Sequence, residues 1–312
     1  MSRTGPFCVL LLLVAAATAR PSDNDITVST KPIEAVISKA AAVDSKTTTI
    51  TPATTTTTPA TTTEVPPSST IPPVPTEVSK AVNEKYPHAL LFGGTCGGTI
   101  ISPTWVLTAG HCTLFTGGHY VVAGTNNTDN NSGVVRNVKR LVIHPLFTVG
   151  PYWLNAAVFN INQVAARWDF LLAELEEALP LDGKLMAAAP LNDQADLPAG
   201  TEVDYAGYGT EHHGGTMRSE MHAMELAVQE NDACKVLEQY NPEDMLCTKG
   251  RPPRFDSACN GDSGSGLVDK SGRLVGVASW VENDAHECRN GALVVFSRVS
   301  AVRDWIRQVT KV

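Results

Sequence analysis

Short apolar runs separated by Gly, Asn and Pro dominate the chain from about Tyr86 to its end. Runs of about four to eight apolar residues between such breakers are typical of β-strands. They include "GTIIS", "WVLTAG", "YVVAG", "VKRLVIH", "EVDYAGYG", "LVGVASW" and "ALVVFSRV". Strands this short and this closely spaced predict an all-β fold, an antiparallel barrel or a sandwich.

One segment near the end of the chain has helical spacing instead. In "SAVRDWIRQV", four apolar residues lie at i, i+3, i+4 and i+7 and therefore share one face: Val302, Trp305, Ile306 and Val309. Ser300 precedes them as a candidate N-cap. We expect this face to pack against the core and not to form a cofactor site.

The first residues have the pattern of a secretory signal peptide, predicted to span residues 1–19. Arg3 gives a positive start, residues 7–17 are apolar, and Ala-Thr-Ala at 17–19 is a small-x-small cleavage site. The apolar run is far shorter than the roughly 20 residues that span a membrane. We therefore expect a secreted, extracellular protein without a membrane partner.

Residues 20–80 lack the pattern of a folded domain. From Thr47 to Thr76 the segment is rich in Thr and Pro and poor in large apolar side chains, so it cannot offset its own ordering entropy. The composition indicates a disordered stalk or propeptide, either O-glycosylated and extended or bare and flexible. Both alternatives make it a spacer, and they place the folded domain at residues 81–312.

Composition narrows the class of function. The chain has 312 residues, is 43% hydrophobic, and carries a net charge of −8 with 24 Lys and Arg residues. It is long enough to bury a large core. Since no basic stripe or Arg-rich run is present, a nucleic-acid partner is not expected.

Cysteine usage also indicates an oxidising compartment. One cysteine, Cys8, lies within the signal peptide, and an even number remain. An even number in a secreted chain predicts disulfides, and without C-x-x-C spacing no zinc site is expected. The simplest of the many pairings joins sequence neighbours: Cys96–Cys112, Cys234–Cys247 and Cys259–Cys288.

Three segments carry residues suited to nucleophilic catalysis. "WVLTAGHC" places His111 after a strand, "RWDFLLAEL" places Asp169 at the start of an apolar run, and "CNGDSGSG" places Ser263 in a glycine-rich turn. Such a turn alone fits either an ordinary surface turn or a nucleophile with an oxyanion hole. A serine hydroxyl needs a base to take its proton, and imidazole titrates near neutral pH.

Together, and in the order His, Asp, Ser, these segments resemble the chymotrypsin family of serine proteases, from about Tyr86 to Val312. "CGGTIISPTWVLTAGHC", "WDFLLAEL", "VGVASW" and "VFSRVSAVRDWI" carry the rest of the resemblance. It implies two antiparallel six-stranded β-barrels with a C-terminal helix. It also implies His111 as the base, Asp169 as its orienting acid and Ser263 as the nucleophile.

The same resemblance implies the remaining site residues. The backbone N–H groups of Gly261 and Ser263 would form the oxyanion hole. Ser257, six residues before the nucleophile, would form the base of the first specificity pocket, with Val281 and Val294 as its walls. A neutral, narrowed pocket favours small or medium apolar residues over Lys or Arg, and Asp256 lies one position away from the pocket base.

Two sequons, at Asn126 and Asn130, predict either glycosylation or an unmodified polar loop. The loop after Ala123 offers only Asp129 as a carboxylate before Arg136, so no calcium site is expected there.

The resemblance implies no cofactor and no metal. Its implied partners are protein or peptide substrates, an activating protease and a protease inhibitor.

The other histidines give weaker signals. His144, in "VIHP", resembles an ordinary surface loop of the family. His212 and His213 are adjacent and flanked by glycine, which favours a loop over a metal site.

One departure from the family concerns activation. Family members usually expose an Ile-Val-Gly-Gly terminus, whose ammonium pairs with the aspartate before the nucleophile, here Asp262; no such motif precedes Tyr86. An unpaired buried Asp262 would be costly. Either another terminus is used, another group satisfies Asp262, or the oxyanion hole never forms.

The function predicted first is a secreted serine endopeptidase. The alternative is a non-catalytic homologue that binds partners, and a mucin-like structural role is third.

Overall fold

The structure, a computed structural model, describes residues 80–114, 116, 119–149, 166–194, 197–282 and 288–312. The predicted signal peptide and, apart from Lys80, the predicted stalk lie outside these residues. Among the described residues, no helix is both long enough and apolar enough to cross a membrane.

The described part of the chain is built mainly of β-strands, and each of the predicted strand segments overlaps one of them. A four-residue helix, α1 (Val82–Lys85), comes first. The strands that follow are β1 (Ala89–Phe92), β2 (Cys96–Ser102), β3 (Trp105–Thr108), β4 (Tyr120–Ala123), β5 (Val134–Ile143), β6 (Thr148–Val149), β7 (Ala166–Arg167), β8 (Leu171–Leu175), β9 (Glu202–Gly207), β10 (His222–Val228), β11 (Met245–Gly250), β12 (Gly266–Asp269), β13 (Leu274–Val281) and β14 (Leu293–Arg298).

These strands form two closed antiparallel barrels of six strands each, as the family resemblance implied. The first barrel has the order β1-β2-β3-β8-β5-β4, and the second has the order β10-β11-β14-β13-β12-β9. The small β6–β7 pair lies beside them. Closure leaves no unpaired strand edge in either barrel.

The burial patterns explain why the strands look as they do in the sequence. β5 alternates half-buried and exposed side chains over much of its length, which is the period of a strand with one solvated face. β2 and β13 are buried at almost every position. β2 contacts β12 and β1 contacts β9, so the two barrels pack directly on each other.

The C-terminal helix packs through its predicted apolar face. A 3-10 turn, Val299–Val302, leads into α2 (Arg303–Thr310). Val302 and Ile306 are buried in the core, and Trp305 packs against it. The predicted Ser300 cap is wrong, because Ser300 lies inside the tighter 3-10 turn and the N-cap position falls on Val302, without a side-chain cap.

His144 also differs from its predicted environment. It is only 7% exposed, and its ring stacks on Trp168 with the ring centres 5.4 Å apart. Trp305 approaches the same ring edge-on at 4.8 Å. The α2 helix supplies that contact from far along the chain, so the local sequence "VIHP" could not indicate it. Burial lowers the pKa of His144 below its usual value.

Three disulfides join the sequence-neighbour pairs: Cys96–Cys112, Cys234–Cys247 and Cys259–Cys288. The first links the start of β2 to the turn that carries His111. The third fixes the segment just before Ser263. Each of these two disulfides therefore restrains a segment that bears a candidate catalytic residue.

Candidate active site

His111 lies in a 3-10 turn, Gly110–Leu114, directly after β3. Its neighbour Cys112 is tied to Cys96, and the Cys112 amide donates to the Ala109 carbonyl at 3.2 Å. His111 is 1% exposed, so both backbone and ring are confined by the surrounding protein.

Asp169 is fully buried between β7 and β8 and holds His111 at two points. Its Oδ2 lies 2.6 Å from the His111 Nδ1, and its Oδ1 accepts the His111 backbone N–H at 2.8 Å. With its proton on Nδ1, the imidazole donates to the carboxylate and leaves Nε2 as the atom able to accept a proton. The position of Asp169 at the start of an apolar run accounts for this burial.

A second donor to Asp169 comes from the other barrel. The hydroxyl of Ser279, on β13, donates to the Asp169 Oδ2 at 2.6 Å, and Ser279 is 7% exposed. Ser279 is not among the site residues predicted from the sequence. Its role as a partner depends on the packing of β13 against the β7–β8 turn, which no local pattern indicates.

A buried carboxylate also shapes the turn that presents Asp169. Trp168 adopts a left-handed backbone conformation, with φ of 51°, which is unusual for a bulky residue. Its backbone N–H donates to Asp244 Oδ2 at 2.6 Å, and Arg167 Nε donates to Asp244 Oδ1 at 2.7 Å. Burial raises the pKa of Asp244, and these two donors partly offset it. Asp244 lies more than 70 residues away from this turn, so no local sequence pattern indicated its role.

Ser263 lies in a turn that is hydrogen-bonded to both barrels. Its carbonyl accepts the N–H of Gly97 on β2 at 2.8 Å, and Gly264 N–H donates to the Ala278 carbonyl on β13 at 2.8 Å. The Gly97 carbonyl in turn accepts the Thr108 hydroxyl at 2.7 Å, three residues before His111. The structure thus brings the Ser263 turn against the strand that leads to His111.

Gly261 has a conformation and a setting that favour glycine. Its φ is +91°, in the left-handed region, and a Cβ there would collide with the Met217 side chain. The same atom would also come within 3.2 Å of the Gly209 Cα. A side chain at position 261 would therefore strain the backbone and displace its neighbours.

Asp262 points away from solvent and is fully buried. Its Oδ2 accepts the Cys259 N–H at 2.9 Å, and its Oδ1 accepts the Gly209 N–H at 3.2 Å. Burial raises the pKa of Asp262 to about 6, although these amide donors act in the opposite direction. The carboxylate is therefore incompletely compensated by the two amides.

The three predicted pocket residues lie in one region of the second barrel. Val281 and Val294 are direct partners on the neighbouring strands β13 and β14. Val294 belongs to the buried core of this barrel together with Ala258, and Val281 packs against it. Ser257, next to Ala258, is buried, and its hydroxyl has no hydrogen-bond partner among the described residues.

Asp256 is occupied elsewhere. Its carboxylate accepts the Glu225 backbone N–H at 3.0 Å and the Arg254 guanidinium at 2.7 Å. A carboxylate already satisfied by a backbone amide and an arginine is poorly placed to recognise a cationic substrate side chain.

The two sequons differ in their surroundings. Asn126 is half-buried, and its side-chain oxygen accepts the Asn83 N–H at 3.4 Å. Asn130 is exposed and caps the following turn through Ser132. Glycosylation stays a prediction at both. Among the described residues, no cluster of three or more His, Cys, Asp or Glu side chains could hold a metal ion.

Comparison with known proteins decides the family. The Trypsin family model matches residues 73–306, about three quarters of the chain. The chain belongs to the trypsin family. Its two closed barrels and short C-terminal helix are the chymotrypsin-like fold, and the chain is a serine protease or a serine protease homologue.

Individual relatives agree with this assignment. The trypsin-family chain is 64% identical over 312 residues to Scolexin B of Heliothis virescens, covering 98% of this chain and 97% of that protein. It is 31% identical over 247 residues to Proproteinase E of Bos taurus, covering 75% and 90%. The structure described as the atomic resolution structure of HBP aligns with a TM-score of 0.58 and 27% identity, covering 75% of this chain and 96% of that one.

Proposed function

We propose that this chain is a secreted serine endopeptidase that hydrolyses peptide bonds with His111, Asp169 and Ser263 as its triad. The observation that carries the proposal is the double contact of Asp169 with the His111 ring and backbone, at 2.6 and 2.8 Å. Those contacts fix the imidazole tautomer that a general base needs. The three disulfides support an oxidising, extracellular location.

In the proposed reaction, the Ser263 hydroxyl attacks the scissile carbonyl while His111 Nε2 takes its proton. The N–H groups of Gly261 and Ser263 donate to the oxyanion of the tetrahedral intermediate. His111 then gives the proton to the leaving amine, which departs and leaves an acyl group on Ser263. Water, deprotonated by His111, attacks the acyl group, and His111 returns that proton to the Ser263 oxygen as the ester bond breaks and the acid product leaves. Asp169 stabilises the imidazolium each time it forms and keeps its own charge.

We propose a preference for small or medium apolar residues on the amino side of the cleaved bond. The cross-strand pair Val281 and Val294 narrows the space that glycine at such walls would leave open. Ser257 is neutral, and Asp256 is engaged by Arg254. Because one methylene is discriminated by only about 1–3 kcal/mol, the preference is graded.

An activating protease and a protease inhibitor are further proposed partners.

The test combines a covalent serine reagent with turnover of a peptide ester. Wild type should take a fluorophosphonate label at Ser263, located by peptide mass spectrometry, and hydrolyse the ester. Ser263→Ala and His111→Ala should each lower kcat by a factor on the order of 10⁴ or more, and the double variant should be little worse. Ser271→Ala removes a serine from the exposed β12–β13 turn and is the matched control.

Activity and labelling together distinguish the alternatives. If correctly folded wild-type protein takes no label and shows no turnover, with or without prior limited proteolysis, the endopeptidase proposal is wrong. The non-catalytic homologue would then replace it.

A further inference from the structure

The turn that carries Ser263 depends on where the Asp262 carboxylate is held. Asp262 directly precedes the nucleophile and follows Gly261, so its side chain fixes the orientation of both proposed oxyanion donors. Two neutral amides bind this carboxylate at 2.9 and 3.2 Å. Burial outweighs these amides and the nearby Tyr205 hydroxyl, because the carboxylate still lacks much of the compensation that water would give it.

His222 faces the same carboxylate from β10. Its Nε2 lies 3.6 Å from Asp262 Oδ1, and its side chain is 14% exposed. His222 pairs in register with Gly207 at the end of β9, two residues before Gly209, which also contacts Asp262. At 3.6 Å the contact is electrostatic, and an approach of about half an ångström would make it a hydrogen bond.

The chain fixes the start of β10 from outside the second barrel. The Met221 N–H donates to the Asn126 carbonyl at 2.8 Å, and the Thr128 N–H donates to the Ser219 carbonyl at 2.9 Å. These backbone bonds join a loop of the first barrel to the residues just before His222. The imidazole is therefore held toward Asp262 by backbone pairing on one side and the β9–β10 ladder on the other.

The charges around the pair come from several elements. Arg218, before β10, favours the ionised form of Asp262, and so does Tyr205 on β9. The same Arg218 opposes protonation of His222, whereas the Glu220 backbone and, to a smaller extent, Asp256 favour it. Burial is the largest cause at both groups, raising the pKa of Asp262 to about 6 and lowering that of His222 to about 4. At neutral pH Asp262 is therefore ionised and His222 is a neutral ring, which donates to Asp262 in the tautomer that carries its single N–H on Nε2.

We propose that His222 is a positioning residue that donates to the Asp262 carboxylate from inside the fold and thereby orders the Ser263 turn in the uncleaved chain. The proposal rests on the endopeptidase function proposed above. It selects one of the three alternatives left by the sequence, namely that a group other than a newly exposed terminus satisfies Asp262. His222 on β10 then supplies the contact to Asp262 that a newly exposed terminus supplies in most members of the family.

The experiment measures the rate of fluorophosphonate labelling of the uncleaved full-length chain, its integrity verified by intact mass. His222→Leu removes the donor at similar volume, and His222→Gln keeps a neutral N–H donor. His119→Ala, at an exposed histidine, is the control for loss of a histidine. Circular dichroism and thermal unfolding establish that each variant is folded. Each labelling rate is followed from pH 5 to pH 9.

We expect wild type and His119→Ala to be labelled at equal rates before any cleavage. His222→Leu should be labelled about tenfold more slowly or worse, since it disturbs the oxyanion donors. His222→Gln should recover most of the rate. The acidic limb of the His222→Leu profile should also move to higher pH, because loss of a donor raises the pKa of Asp262 further.

Three results would overturn the inference while leaving the endopeptidase function intact. The first is an equal labelling rate for His222→Leu and wild type, and the second is labelling of wild type only after cleavage. The third is a folded His222→Gln that is labelled as slowly as His222→Leu, together with a His222→Leu pH profile whose acidic limb has not moved. Absence of label on wild type both before and after cleavage would instead contradict the proposed function itself.

Discussion

Replacing Ser279 with alanine tests whether the second barrel supports the His111–Asp169 pair. The hydroxyl donates to Asp169 Oδ2 at 2.6 Å in a site where Asp169 is fully buried and His111 is 1% exposed. A hydrogen bond to a buried charged group contributes about 1.5–3 kcal/mol. Asp169 keeps its two bonds to His111, so we expect Ser279→Ala to cost about 2 kcal/mol.

That loss should be visible in stability and in catalysis. For a domain of this size, about 2 kcal/mol corresponds to a fall in Tm of about 4–8 °C. If half of it is also lost in the transition state, where Asp169 stabilises the imidazolium, kcat/KM falls about fivefold. Thermal unfolding by circular dichroism and hydrolysis of a peptide ester measure the two effects.

Thr310→Val is the matched control for removing a hydroxyl. The Thr310 hydroxyl of the wild type donates to the Ile306 carbonyl within α2 at 2.7 Å, a neutral acceptor away from the triad. Thr310→Val should lower the free energy of unfolding by about 1 kcal/mol and leave kcat/KM unchanged. An unchanged Tm and kcat/KM in Ser279→Ala, or an equal loss of kcat/KM in both variants, would refute the reasoning.

Two further predictions concern the pocket and the buried Asp262. Val281→Gly and Val294→Gly should each raise the rate of cleavage after Phe relative to Ala in a peptide library, by up to about tenfold for each substitution. Unchanged specificity profiles would show that these valines do not line the pocket. Asp262 has a pKa raised from 3.8 to about 6, so the native state binds its proton more tightly than the unfolded state. Stability therefore falls as pH rises from about 4 to about 6, and Asp262→Asn should gain stability relative to wild type over that interval while losing activity. Urea unfolding at pH 4 and pH 7 measures the difference, and a pH-independent difference would contradict the shift.

Much of the fold could be predicted because its signals are local. Short apolar runs between breakers predicted the strands, and the i, i+3, i+4, i+7 spacing predicted the packed face of α2. The motifs around His111, Asp169 and Ser263 are each contiguous, so their residue types and order could be read together. Their cysteines also lie close in sequence, and the structure joins neighbouring pairs.

The tertiary structure alone decided which distant groups support those residues. Ser279 reaches Asp169 across 110 positions and Asp244 holds Trp168 across 76. His222 faces Asp262 because β10 pairs with β9 in one particular register. A strand's register and the packing of two barrels depend on the whole set of buried contacts, so one residue's neighbours in sequence do not reveal its neighbours in space. The same reason explains the buried aromatic setting of His144, since Trp305 near the end of the chain packs against its ring.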